Sequence, residues 1–409
     1  MTEQQTFVIV GGGLTSAKAA QALREEGFDG RIVLIAAEPD PPYERPPLSK
    51  EYLRGESDRD NTHVHPEGFY EQHDIELLLG QTVAGVTADR RLVVMDGRES
   101  IRFDRLLLAT GAEPRHLTVP GAELDGIYEL RDLQDATAIG QRIAQGGKLL
   151  VIGAGWIGAE VAASARQKGL EVTIVEQGTL PLERVLGPQV GRVYREIHLD
   201  HGVELLTDAH LDAFEGNGSA ERARLVDGRL IECDFVVVGI GVTPRTQLAA
   251  HAGLDVANGI VVDERLETSV PGIFAAGDVA NVPHPLFGRL RVEHWANALH
   301  QGPAAARNVL GRGEAYERVP YFFSDQYDVG MEYSGHASAR ERLIFRGDPD
   351  SREFIAFWLD GERVVAGMNV NVWDVSEPIQ ALIASRQSVE PDRLADPDIP
   401  LTELFRAPR

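Results

Sequence analysis

The chain has 409 residues, 43% hydrophobic and 25% charged, which is an ordinary balance for a folded globular protein and enough for two or three domains. A formal net charge of -23 repels polyanions, so neither a nucleic acid nor an anionic membrane surface is an expected partner. No run approaches the length of a membrane span and the first residues lack a basic-then-apolar leader; Cys233, the single cysteine, can make no internal disulfide, and together these point to the reducing cytoplasm.

The first element is a β-branched strand, TFVIV (6–10), running into IVGGGLTSAK (9–18) and a helical stretch that stops at Gly27. Gly11 and Gly13 fit the first two glycines of a dinucleotide-binding turn, where glycine permits the tight bend and the close approach of a pyrophosphate. Ser16 stands at the third position, slightly large for a site where helix presses on strand. A second strand, RIVLI (31–35), follows, and Glu38 beyond it is placed to accept hydrogen bonds from a ribose diol. LLLATGAEPR (106–115) then reads as a buried strand, a glycine turn and a Pro-Arg exit.

The same phrasing returns. Strand LLVI (149–152) enters VIGAGWIGAE (151–160), in which Gly153, Gly155 and Gly158 complete G-x-G-x-x-G; a helix ends at Gly169, and EVTIV (171–175) leads to Glu176. No arginine follows Glu176 in EQGTLPLE, so a 2'-phosphate is disfavoured and NADH is expected over NADPH. VVVGIGVTPR (236–245) repeats the Pro-Arg exit. Two strand-turn-helix-strand halves built alike indicate duplicated domains.

Residues 259–280 hold short apolar strands without a new glycine-rich helix entrance, as if completing an earlier domain. From 321 the pattern alternates, and EFIAFWLDGERVVAGMNVN (353–371) has the signature of an antiparallel hairpin. The expected fold is α/β: two Rossmann-like dinucleotide-binding domains and a C-terminal α+β domain with an antiparallel sheet. The expected divisions are 1–114 with 245–320, 115–244, and 321–409. Two dinucleotide sites in one chain suggest a nicotinamide that gives hydride and a second dinucleotide, a flavin, that receives it; the dinucleotide flavin is FAD.

PPYERPPLSKEYL (41–53), LLLATGAEPR, GAGWIGAEVA, IFAAGDVA (273–280), RVEHWANALHQG (291–302) and YFFSDQYDVG (321–330), in this order, resemble the FAD-dependent, NADH-using ferredoxin reductases that serve cytochrome P450 and ring-hydroxylating dioxygenase systems, the putidaredoxin reductase group with its glutathione-reductase-like fold. The resemblance implies that Lys50 lies at the flavin, that Arg45 and Pro46 wall its pocket, and that Glu160 meets Lys50 beside the nicotinamide. It likewise assigns Asp278 to the ribityl chain and Trp295 to the pyrimidine end of the flavin. Gly11, Gly13, Leu14, Thr15, Glu38, Val83, Ala109, Thr110, Gly111, Arg131, Gly277, Glu293 and His294 complete the implied FAD contacts. Gly153, Gly155, Trp156, Ile157, Gly158, Glu176 and Gly241 are those implied for NADH. Phe323 stands where the family often has tryptophan, and no metal site is implied.

The expected activity is that of an FAD-dependent NADH:ferredoxin oxidoreductase: hydride passes to the flavin, and single electrons go on to an iron-sulfur ferredoxin, [2Fe-2S] or related, and through it to a P450 or dioxygenase, from a monomer or homodimer. A disulfide reductase needs a cysteine pair at the flavin, which this chain lacks. A cysteine-free NADH oxidase and an NADH-sensing signalling flavoprotein are the alternatives. Because ferredoxins are commonly acidic, Arg289, Arg291, Arg307, Arg312, Arg340, Arg342 and Arg346 are candidates for the docking patch.

Overall fold

The computed structural model describes residues 4–338 and 341–404. The chain divides into two compact units, each assembled from separated stretches: Met1–Glu44, Arg59–Glu113 and Thr243–Pro320 form the first, and Arg45–Asp58, Pro114–Val242 and Tyr321–Arg409 the second.

The first unit is built on a five-stranded parallel sheet. Its central strand, Thr6–Val10, lies between Arg31–Ile35 and Arg105–Leu108, with Ile75–Leu78 and Ile273–Ala275 at the edges. In-register pairs such as Val8 with Val33 and Leu106 fix the central three. These strands are near-continuous runs of valine, isoleucine and leucine because both faces are covered, and Ile32, Val33, Leu34, Leu106 and Leu108 are fully buried. The helix Leu14–Glu25 leaves the end of the central strand and packs closely on the helix Trp295–Val309: a Cβ on Gly302 would lie 2.4 Å from the Thr15 carbonyl oxygen.

The second unit repeats the plan. Lys148–Ile152 is central, between Glu171–Val175 and Phe235–Val238, with Glu204–Leu206 and Ile127–Glu129 outside, all parallel. In both sheets the crevice for a ligand therefore opens beyond the carboxyl end of the central strand, where the strand order reverses. The same unit carries a five-stranded antiparallel sheet, in spatial order Tyr321–Gln326, Val329–Gly335, Arg363–Val370, Glu353–Asp360 and Arg342–Asp348. The hairpin read at 353–371 is present: Asp360 pairs with Arg363 across a two-residue turn in which Gly361 has φ +64°. This sheet buries Phe322, Met331, Tyr333 and Trp358 against Leu186, Val190, Tyr194 and Ile197 of the segment Glu183–Asp200, whose helix is interrupted at Gly187 (φ +78°) just before Pro188. The short stretch containing RPPLSK belongs to this unit too, with Leu53 in the core beneath the parallel sheet. Among the described residues, no helix is long and apolar enough to cross a membrane.

Candidate functional site

At the crevice of the first unit, Gly11 adopts φ +132°, and a Cβ there would lie 2.1 Å from the Ala109 carbonyl oxygen. Gly13 caps the helix with no side-chain hydrogen bond and has open space where a Cβ would stand. Leu14 and Thr15 form the buried first turn, so amides and an open capping position converge where a phosphate would bind. Ser16 is accommodated: it is fully buried, its hydroxyl has no partner among the described residues, and it approaches the turn closely. Gly277 (φ +79°) would drive a Cβ to 2.4 Å from Thr15 Oγ1, and its amide donates to Gln301 at 2.8 Å, which brings Asp278 to the same helix entrance.

The other expected residues of this unit have partners of their own. Glu38 accepts a hydrogen bond from the Tyr43 hydroxyl. Trp295 opens its helix behind His294 and donates Nε1–H to Glu44 at 3.1 Å, while Glu293 pairs with Arg291, which also donates to the Asp278 carbonyl. Thr110 donates to the Arg245 carbonyl at 2.7 Å, between Ala109 and the left-handed Gly111 (φ +67°). Val83 is half-buried and packs on the hydrophobic core. The donor set suits a diphosphate and polyol ligand: backbone amides and the Thr15 hydroxyl at a helix N-terminus, with further hydroxyls and carboxylates in the same unit. The residues present therefore fit a flavin dinucleotide.

In the second unit Gly153 (φ +99°) faces the Gly239 carbonyl oxygen, 2.5 Å from a would-be Cβ, and Gly158 faces the Gly153 carbonyl at 2.1 Å. Gly155 caps the helix Trp156–Gln167 without a side-chain bond. Ile157 in the first turn is 44% exposed, whereas Trp156 turns inward, edge-on to Phe322 and Tyr194. Glu176 is held from both sides: one oxygen accepts from the Ala154 amide and the other from the Gly178 amide, each at 2.6 Å. Its remaining lone pairs suit a ribose diol. Gly241 (φ +98°) lies in the open exit turn. Arg45 donates to the Arg131 carbonyl, so these two expected flavin contacts meet within the second unit.

The most constrained charges lie in this unit as well. Pro46–Ser49 is a short turn preset by proline at its start, and it delivers Lys50 to Glu160, which sits on the buried face of the helix Trp156–Gln167. Lys50 Nζ is 3.0 Å from Glu160 Oε2, and the side chains are 9% and 5% exposed. Ser49 donates to the same oxygen at 2.5 Å, and Ser324 donates to Oε1 at 2.6 Å. Phe323 presents its ring to the ammonium, 5.5 Å from its centroid. Burial, together with the charges of Glu160 and Asp325, pushes the Tyr194 hydroxyl far up, so it stays protonated. The two serines were not among the expected site residues, although both lie inside the most distinctive motifs, RPPLSK and FSDQYD. Their hydroxyls satisfy a buried carboxylate that a single ammonium leaves short of donors.

Cys233 is buried away from these residues, and burial, with Asp234 nearby, pushes its thiol up to about 12, so it stays an unreactive thiol. Among the candidate docking arginines, Arg346 is a correction: it is buried and donates to the carbonyls of Leu394, Pro397 and Ile399, tying down the C-terminal segment. Arg289 holds the carbonyls of Val262 and Asn281, and Arg307 and Arg312 pair with Glu314 and Glu26. Arg342 is exposed, and Arg340 lies outside the described residues.

Comparison with known proteins agrees with this architecture. The profile of the pyridine nucleotide-disulphide oxidoreductase family matches residues 5–302, and a reductase C-terminal domain matches residues 321–405. The chain is 38% identical to rhodocoxin reductase of Rhodococcus erythropolis, over 97% of this chain and 93% of that protein. It is 37% identical to the ferredoxin--NAD(+) reductase component of the anthranilate 1,2-dioxygenase system of Burkholderia cepacia, over 97% and 98%. Among solved structures, the reductase in the covalent putidaredoxin reductase-putidaredoxin complex superposes with a TM-score of 0.95 at 35% identity, covering 98% of each chain. The chain thus belongs to the pyridine nucleotide-disulphide oxidoreductase family, within the ferredoxin reductases related to putidaredoxin reductase.

Proposed function

We propose that this protein is an FAD-dependent NADH:ferredoxin reductase of the cytoplasm, supplying a cytochrome P450 or a ring-hydroxylating oxygenase through an iron-sulfur ferredoxin. The reading is supported above all by two nucleotide crevices of the same plan in one chain whose single thiol is inert. The first unit holds FAD: Gly11, Gly13, Leu14 and Thr15 take its pyrophosphate, Glu38 its adenosine ribose and Asp278 its ribityl hydroxyls. The second unit takes NADH on Gly153, Gly155, Trp156, Ile157 and Gly158, with Glu176 on the ribose.

Bound FAD supplies the conversion of a two-electron hydride donor into a one-electron donor. The protein's own work is alignment and electrostatics. Lys50 is a fixed ammonium that would suit negative charge gained on reduction, and Glu160 keeps that ammonium in place and would orient the nicotinamide carboxamide. Three donors on Glu160 leave little room for the carboxylate to rotate, so the pair is set before substrate arrives.

The test is an absorbance spectrum before and after anaerobic NADH. A flavin spectrum that NADH bleaches and an oxidised ferredoxin restores, with cytochrome c reduced only when the ferredoxin is present, is the expected result. Sluggish reduction with every ferredoxin tried, ending in a long-lived charge-transfer band, overturns it in favour of a signalling flavoprotein. Rapid reoxidation by oxygen alone indicates an oxidase.

Cofactor choice gives a second expectation. Replacing Glu176 with alanine removes the ribose acceptor and the carboxylate that repels a 2'-phosphate. NADH affinity should fall about tenfold and discrimination against NADPH should largely disappear, read from half-saturation of flavin bleaching with each nucleotide.

A further inference from the structure

Ser324 is not the last polar group behind Glu160. Alternation along Tyr321–Gln326 puts Ser324 and Gln326 on the same buried face, and Gln326 Nε2 donates to Ser324 Oγ at 3.4 Å. The other end of that amide, Oε1, is buried without a hydrogen-bond partner among the described residues; so is Nε2 of His198, a fully buried imidazole whose ionisation Gln326 influences. A buried amide oxygen and a buried imidazole nitrogen thus each lack a hydrogen bond among the described residues, on two side chains of which one influences the other. On its far side, His198 Nδ1 lies 3.2 Å from the Tyr327 hydroxyl. The Tyr327 ring stacks on His201 at 3.7 Å, and His201 Nε2 lies 3.7 Å from the carboxylate of exposed Asp328.

The polarity of this chain is forced from its inner end. An ionised carboxylate only accepts, so the single Ser324 proton goes to Glu160 and the serine lone pair receives the Gln326 N–H. The amide oxygen is then the end left for His198, and a bond to it requires His198 to present Nε2–H and leave Nδ1 bare to accept from Tyr327. A doubly protonated ring would break the order by donating from both nitrogens, and burial pushes His198 down to about 4, keeping it neutral. Tyr327 itself sits at φ +58° in the two-residue turn between Gln326 and Val329, a left-handed conformation that a bulky residue adopts only when its surroundings hold it. Tyr194 stands one helical turn earlier on the same helix, His201 acts electrostatically on His198, and Arg166, which donates to the His201 carbonyl, acts on Tyr327.

We propose that Gln326 Oε1 accepts from His198 Nε2–H, joining Tyr327, His198, Gln326 and Ser324 in a one-way hydrogen-bond relay that orients the Glu160 carboxylate and makes Ser324, Gln326 and His198 positioning residues for hydride delivery. The relay rests on the role given above to Lys50 and Glu160. It explains why three neutral polar side chains are buried in line behind a carboxylate that already has two donors of its own.

Two measurements test it. Long-range 15N–1H spectra of the oxidised, FAD-loaded protein with 15N-histidine, His198 being assigned by its loss in His198→Phe, should show a neutral Nε2–H tautomer near neutral pH. An Nδ1–H tautomer or a doubly protonated ring overturns the relay. In anaerobic stopped-flow, Gln326→Leu and Ser324→Ala should slow flavin bleaching about tenfold with little change in NADH half-saturation, while Ser324→Thr, which keeps the hydroxyl, stays near the original rate. If Glu160→Gln slows bleaching and Gln326→Leu does not, the relay is wrong and the Lys50–Glu160 pair stands; if Glu160→Gln is also without effect, both fall. Should Gln326→Leu fail to fold, the tautomer in the unaltered protein and the Ser324 variants still decide.

Discussion

Glu160→Ala should be the most damaging single change at the proposed site, and more so than Lys50→Met. Removing the carboxylate leaves a 9% exposed ammonium with the Pro46 carbonyl at 3.4 Å, the face of Phe323 and the electrostatic influence of Asp325. Breaking a buried pair from one side typically costs about 3–5 kcal/mol because the surviving charge loses its hydrogen-bonded partner. Lys50→Met leaves Glu160 with hydrogen bonds from Ser49 and Ser324, so its cost should be smaller, about 1–3 kcal/mol. Both should lower the rate of flavin bleaching by NADH about 100-fold, the scale expected when one preorganised electrostatic group is lost. The double variant Lys50→Met/Glu160→Leu separates the two roles. It should recover much of the stability in urea unfolding, since neither charge remains, and none of the rate. Equal stability of the two single variants, or a double variant as fast as the original, contradicts this assignment.

Gly11→Ala and Gly158→Ala should fail in different ways, although each adds one methyl group to a glycine turn of the same plan. At Gly11 the backbone already lies at φ +132°, and the new Cβ meets the Ala109 carbonyl at 2.1 Å. Strain and overpacking together should cost about 3 kcal/mol or more locally, and the variant should purify without flavin. At Gly158 the clash is with the Gly153 carbonyl, also at 2.1 Å. The second crevice then opens while the first is untouched, so the protein should keep its 450-nm absorbance but need about 100-fold more NADH to bleach it. Ser16, which occupies the position equivalent to Gly158 in the first turn, shows that a small side chain can be built into such a turn when the surroundings have been arranged for it. Loss of flavin from Gly158→Ala would contradict the division of labour between the units.

What the sequence determined by itself is whatever depends on short-range backbone rules. The two parallel sheets, their glycine-capped helices and the hairpin at 353–371 follow from runs of β-branched residues, helical spacing and turn glycines, all set within a few residues of one another. Glu176 was legible for the same reason, standing directly after a strand whose end the glycine turn faces. Lys50 and Glu160 were legible only through family resemblance, since 110 positions separate them.

The tertiary structure alone decided which side chains meet. Ser324 reaches Glu160 across 164 positions and Ser49 across 111, and no local period encodes either meeting. It also placed the RPPLSK stretch with the second unit, turned Arg346 from a docking candidate into a buried anchor and put Val83 on the core. In each case the deciding quantity is whether a buried polar group finds its partners or an apolar one finds cover. That is settled by which surfaces pack together once the elements exist, because an unmet donor or acceptor inside the protein costs more than any local preference can offset.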